Sequence, residues 1–221
     1  MKTEPIESTR RAWLTIFLSL SLLTAVPTAH AEGTYVNLIG GMGWLDDTDV
    51  KPDGGTPSKG EFDGGFAGGA SIGYAWDNWR VEGELLYQTN DTDKLSGPGL
   101  PDGADAGDFS SLAVSANAIY EFDLLGSPNA RTYVGAGLVW LQEVDLDFDS
   151  PDGELSYSGD DWGYQIFAGA RYRFGEHWQA TAEIRYLDSG SVTLDGEGAA
   201  PGRIKADYQR TSILVGLGYR F

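Results

Sequence analysis

Apolar residues recur at every second position through most of the chain after Thr34. The clearest run closes it. Ile213, Val215, Leu217, Tyr219 and Phe221 are apolar, and the residues between them are small or charged, with Leu214 the exception. Period two marks a β-strand whose two faces meet different surroundings. The pattern predicts eight strands, roughly at 34–45, 64–76, 79–90, 108–122, 131–148, 161–174, 178–188 and 207–221. The connections at 45–63, 90–108, 149–160 and 188–206 are long and rich in Asp, Gly, Pro and Ser, whereas those at 77–78, 123–130 and 175–177 are short.

The faces are inverted relative to a soluble sheet. In the third strand Trp79, Val81, Leu85 and Tyr87 oppose Arg80, Glu82, Glu84 and Gln88. In the seventh, Trp178, Ala180, Ala182, Ile184 and Tyr186 oppose Gln179, Thr181, Glu183 and Arg185. Charges share a face with the glycines. A membrane barrel presents its apolar face to lipid and turns the polar face inward, and it alternates short periplasmic turns with longer outer loops. The expected fold is therefore all-β: an eight-stranded antiparallel up-and-down transmembrane β-barrel. Trp76, Trp79 and Trp178 fall at the short-turn ends, and Trp44, Trp140 and Trp162 toward the long loops. Indole rings favour the headgroup boundary of a bilayer, so these six are expected to form two aromatic girdles.

Residues 1–31 have a different character. Lys2, Arg10 and Arg11 precede an apolar run over 12–26, and Ala29-His30-Ala31 is an A-x-A cleavage pattern, the layout of a secretory signal peptide. The expected organisation is a signal peptide at 1–31 and a barrel domain at 32–221. Without the leader, 12 basic residues face 31 acidic ones, a net charge of −19. Such acidity argues against nucleic acid as a partner, which needs a positive footprint. There is no cysteine, so an exported chain would rely on packing and hydrogen bonds without disulfides.

Three segments carry a resemblance: Tyr35-Val36-Asn37-Leu38-Ile39-Gly40-Gly41, Tyr133-Val134-Gly135-Ala136-Gly137 and the closing Gly216-Leu217-Gly218-Tyr219-Arg220-Phe221. With the strand count and the girdles, the chain resembles the small outer-membrane barrels of the OmpA-like and opacity-protein type. The likeness covers essentially everything after residue 31, and no single motif in it is specific. It implies a Gram-negative outer membrane, with its lipid and lipopolysaccharide, as the surroundings. It also implies recognition of the last strand by the outer-membrane assembly machinery, with Tyr219 and Phe221 as the assembly signal. Larger relatives add a peptidoglycan-binding domain after the barrel, and that function is not carried over here.

The interior of an eight-stranded barrel is just wide enough to be filled by side chains. Here it is expected to hold Arg80, Glu82, Glu84, Glu121, Arg171, Arg173, Glu183, Arg185, Arg210 and Arg220, with no lysine. The planar fork of arginine meets carboxylates with two hydrogen bonds and stays charged. An unpaired charge there would cost several kcal/mol, so an ion-pair network is expected, with Glu84 or Glu183 meeting Arg171 or Arg185. Two uses of it stay open: a polar plug that fixes the fold, or a narrow porin-like channel. The resemblance also raises lipid A-modifying enzymes, which use His with Ser or Asp near the outer leaflet. His177, however, sits in the short Gly175-Glu176-His177 turn at the opposite end and reads as a turn residue. The expected function is a non-enzymatic barrel acting in envelope integrity or surface interaction through four acidic loops, with no cofactor and no catalytic set. Asp145, Asp147 and Asp149 begin like a calcium loop, but Ser150 and Ser156 stand where its glycine and bidentate Glu belong. Weak divalent cation binding at the acidic loops is the ligand chemistry expected there.

Overall fold

The computed structural model describes residues 33–46, 48–52, 58–62, 64–96, 106–150, 153–197 and 203–221. The leader expected at 1–31, and the Asp-Gly pairs at 53–54 and 102–103, lie outside the described residues. The strands are β1 (Thr34–Leu45), β2 (Thr48–Pro52), β3 (Ser58–Phe62), β4 (Gly65–Trp76), β5 (Trp79–Ser96), β6 (Ala106–Phe122), β7 (Ala130–Ser150), β8 (Gly153–Phe174), β9 (Trp178–Glu197) and β10 (Arg203–Arg220). Eight of them, β1 and β4 to β10, form a closed antiparallel barrel that β1 completes by pairing with both β4 and β10. The two short ones continue the wall above β1 and β4, where β10 pairs with β2, β2 with β3 and β3 with β5.

Local chemistry explains the tight end. Asp77 adopts φ 48° in the Asp77-Asn78 turn between β4 and β5, and these two residue types tolerate the left-handed region that a two-residue hairpin requires. Gly175 at φ 73° opens the turn between β8 and β9.

At the other end the structure corrects the boundaries. The segments expected as long loops at 90–108, 149–160 and 188–206 are mostly strand, and the connection between β7 and β8 is only 151–152. Asp145, Asp147 and Asp149 are ladder residues of β7, paired with Ser158, Ser156 and Glu154 of β8, so the calcium-loop spacing there is strand alternation. Asp, Ser and Gly have weak strand preference, but a started ladder satisfies the backbone of each next pair and overrides it. β7 has 21 residues. At ~3.3 Å per residue and a tilt near 40° it rises roughly 50 Å, about twice the ~25 Å apolar band of a membrane barrel. The wall is therefore much taller than such a band.

Outward positions are apolar and exposed, among them Leu38, Phe66, Leu85, Leu138, Ile184, Ile213 and Val215. The inner face is not uniformly polar. Ala67, Leu86 and Leu214 form a buried apolar cluster with Ile39 against it, and Val139 and Leu141 are fully buried. The ladder between β10 and β9 shifts at Tyr208/Gln209, where Gly190 and Asp188 are the successive partners. That extra residue resets the alternation of β9, so that Leu187 and Val192 are both buried.

Candidate functional site in the barrel interior

The inward side chains form three layers. Nearest the short turns, Arg171 of β8 grips Glu121 of β6 with both arms of its guanidinium, one at 2.8 Å. Arg80 of β5 lies between the rings of Tyr35 and Tyr133, 5.5 and 4.9 Å from their centroids. Its Nη1 is 3.4 Å from Glu82 Oε1 and its Nε 3.0 Å from Glu121 Oε1, yet neither nitrogen is aligned for a hydrogen bond. Arg80 is thus held by charge attraction and by two aromatic faces. The Tyr35 hydroxyl donates a short bond to Glu82. These tyrosines lie flat across the lumen because glycine faces them: a Cβ at Gly73 would collide with Tyr35, and one at Gly169 would lie 2.7 Å from the Tyr133 ring.

The middle layer centres on Arg185 of β9. Its guanidinium spans the lumen to Glu84 of β5, one arm at 2.9 Å, and donates through Nε and Nη2 to Glu183 at 2.9 and 2.7 Å. Its face packs 5.1 Å from the Phe167 ring centroid. Tyr133 joins the two layers, since its hydroxyl donates to Glu183 at 2.9 Å while its ring faces Arg80. Amides fill the remaining space: the Gln165 amide donates to Asn117 at 2.7 Å and to Ser115 at 3.2 Å, and that of Gln179 to Asn37 at 3.0 Å. Above lies the apolar layer, and above that Arg210, which donates to Asn90, to Ser212 at 3.3 Å and to the Phe66 carbonyl at 3.5 Å.

The structure thus gathers Arg80, Glu82, Glu121 and Arg171 into one ion-paired group and Glu84, Glu183 and Arg185 into another, and Tyr133 links the two into one set. It does not place Arg173 or Arg210 in that set: among the described residues, no ion pair joins either of them to a carboxylate. Arg220, inward on β10, likewise stands apart. Sequence reasoning placed Gln165 and Gln179 on the inward face without assigning them to the network, and it missed Tyr35, Tyr133 and the apolar layer. The signal for Tyr133 was present, because it shares the parity of Gly135 and Gly137 and so points inward.

Residues 15–221 match the outer membrane protein beta-barrel domain family. The chain belongs to that family. Among solved structures it is similar to Neisserial surface protein A from Neisseria, at 20% identity over 86% of this chain and 97% of that one, with a TM-score of 0.52. It is also similar to the outer membrane protein OprG from Pseudomonas aeruginosa, at 21% identity over 87% and 99% of the two chains, with a TM-score of 0.59. At these identities the likeness is one of fold. A search among curated proteins finds no match.

The six tryptophans lie toward the two ends of the outward face. Trp76 and Trp79 are ladder partners beside the Asp77-Asn78 turn, and Trp178 pairs with Phe174 and Tyr219 at the same end. Trp44 lies one residue before the end of β1 at the opposite end, where Trp140 and Trp162 are ladder partners whose rings stack at 6.1 Å and 14°. Five of the six are exposed, and Trp140 is half-covered by its stacking partner.

Proposed function

We propose that this outer-membrane barrel is a closed, non-enzymatic surface protein that supports envelope integrity and presents its tall acidic rim outward. The observation that carries this reading is the filled cross-section. Arg185 bridges β9 to β5 through Glu84, and Ala67, Leu86, Leu214 and Ile39 pack as an apolar cluster on one side of the same interior. An ion would have to break the buried pairs to pass. His177 is exposed at the short-turn end, bonded to the Arg220 carbonyl at 3.0 Å and stacked on Tyr219, which supports a structural use for it. Residues 1–31 act in this reading as a cleaved export signal. Tyr219 and Phe221, in edge contact at 5.4 Å with Phe221 exposed, serve as the assembly signal. The acidic rim takes divalent cations weakly, bridging it to lipopolysaccharide phosphates. Planar-bilayer recording tests the closed state: the refolded protein should give no unitary conductance steps in molar salt. Steps that change selectivity with Glu84→Gln would establish the narrow channel instead. Lipid A of unchanged mass after overexpression is expected, and a modified species would make the protein an enzyme.

A further inference from the structure

Among the described residues, three arginines below the ion-paired set have no carboxylate in an ion pair with them. Arg131 of β7, Arg173 of β8 and Arg220 of β10 share the inward parity of Tyr133, Arg171 and Gly218, and they end their strands at the short-turn mouth. Arg131 is the ladder partner of Arg171, and its Nη2 donates to Asn78 at 2.8 Å. The Arg173 Nε is buried without a partner, and its side chain feels the like charges of Arg171, Arg220 and Arg131, with Glu121 acting against them. Glu121 is already occupied by Arg171 and Arg80. Among the described residues no ion pair involves these three, and the neighbouring acids Asp77, Asp123 and Glu176 are exposed turn residues. The chain holds 33 acidic residues against 15 basic ones, yet among the described residues none forms an ion pair with these three arginines.

We infer that the short-turn mouth of the barrel is an oxyanion site, built by Arg173 with Arg131 and Arg220, for a phosphate-class ligand. Guanidinium donors are always charged and meet tetrahedral oxyanions with paired hydrogen bonds. A bound anion would offset the mutual repulsion of the cluster. Short turns of outer-membrane barrels face the periplasm, so the ligand is either a free periplasmic phosphate or the phosphate of an inner-leaflet lipid headgroup.

The test uses the refolded protein in phosphatidylcholine nanodiscs, with inorganic phosphate titrated against chloride at constant ionic strength. Phosphate should raise the unfolding temperature saturably, by roughly 3–5 °C at ten times its dissociation constant, and should broaden its own phosphorus resonance. Arg173→Gln should lose both effects while unfolding no lower than wild type in phosphate-free buffer, because it relieves repulsion and breaks no ion pair. In phosphatidylglycerol nanodiscs, loss of the response to free phosphate would identify the headgroup as the occupant, and its persistence would identify the soluble ion. Equal effects of phosphate and chloride would overturn the site, as would a phosphate response that survives in Arg173→Gln.

Discussion

Arg185→Met is the most informative single change in the interior. Methionine keeps an unbranched apolar stem against Phe167 but removes the guanidinium that joins Glu84 to Glu183. Both carboxylates then remain in place, their side chains 2% and 12% exposed. Their surviving donors are Ser115, 3.4 Å from Glu84, and Tyr133, 2.9 Å from Glu183. Breaking a buried pair strands its charge at a cost of about 3–5 kcal/mol. Here two like charges are stranded together, so the upper half of that range is expected, roughly a thousandfold in the folding equilibrium. Urea unfolding of the barrel from lipid vesicles, followed by tryptophan fluorescence and by the gel-mobility difference between folded and boiled forms, measures it. The triple variant Glu84→Leu, Glu183→Leu, Arg185→Met should recover most of the loss, since no charge is left to solvate. A single variant within about 1 kcal/mol of wild type would mean that water separates these groups. A triple variant no better than the single would show that shape, rather than charge, is what Arg185 supplies.

Within the same set, Glu84→Ala should cost more than Glu183→Ala. Glu84 accepts from both terminal nitrogens of Arg185 in the drier position, so its loss removes the more desolvated partner, although Arg185 keeps one carboxylate in either variant; urea midpoints rank the two. On the lipid side, Ala168→Arg should destabilise by about 2–4 kcal/mol, because Ala168 is exposed on the outward face between Val134 and Ile184. Gly169→Ser, at the next residue, is also expected to destabilise, since its Cβ would strike the Ala182 carbonyl and approach Tyr133. Gly83→Val is the tolerated control, as a Cβ there meets nothing within 4 Å, and it should be neutral or stabilising by up to about 1 kcal/mol. Deleting Phe221 should lower assembly in cells more than stability in vesicles, since burial of that ring is worth about 2–3 kcal/mol at most; equal losses in both would refute its role as a signal.

Period two in the sequence determined the strand count, the lipid-facing set and the inward charges, because alternate residues must face opposite sides of a strand whatever its neighbours are. Glu82, Glu84, Glu183 and Arg185 could be placed inside from parity alone. Parity has no height, however. Whether Arg185 meets Glu84 depends on the stagger between β5 and β9, which lie across the barrel and are not ladder neighbours. The ladders around the ring set that stagger, together with the bulges that no alternation announces. The apolar layer was hidden for a related reason: Leu85 beside Leu86, and Ile213 beside Leu214, read as breaks in a pattern until the closed wall shows one facing lipid and the other facing its counterpart across the lumen. The rim was misjudged as loop because composition reports what a residue prefers in isolation, whereas a started β-ladder supplies hydrogen bonds to any backbone that reaches it. Arg173 and Arg210 separate from the ion-paired set for the same physical reason, since both face inward like Arg80, Arg171 and Arg185 and only tertiary height decides which of them a carboxylate can reach.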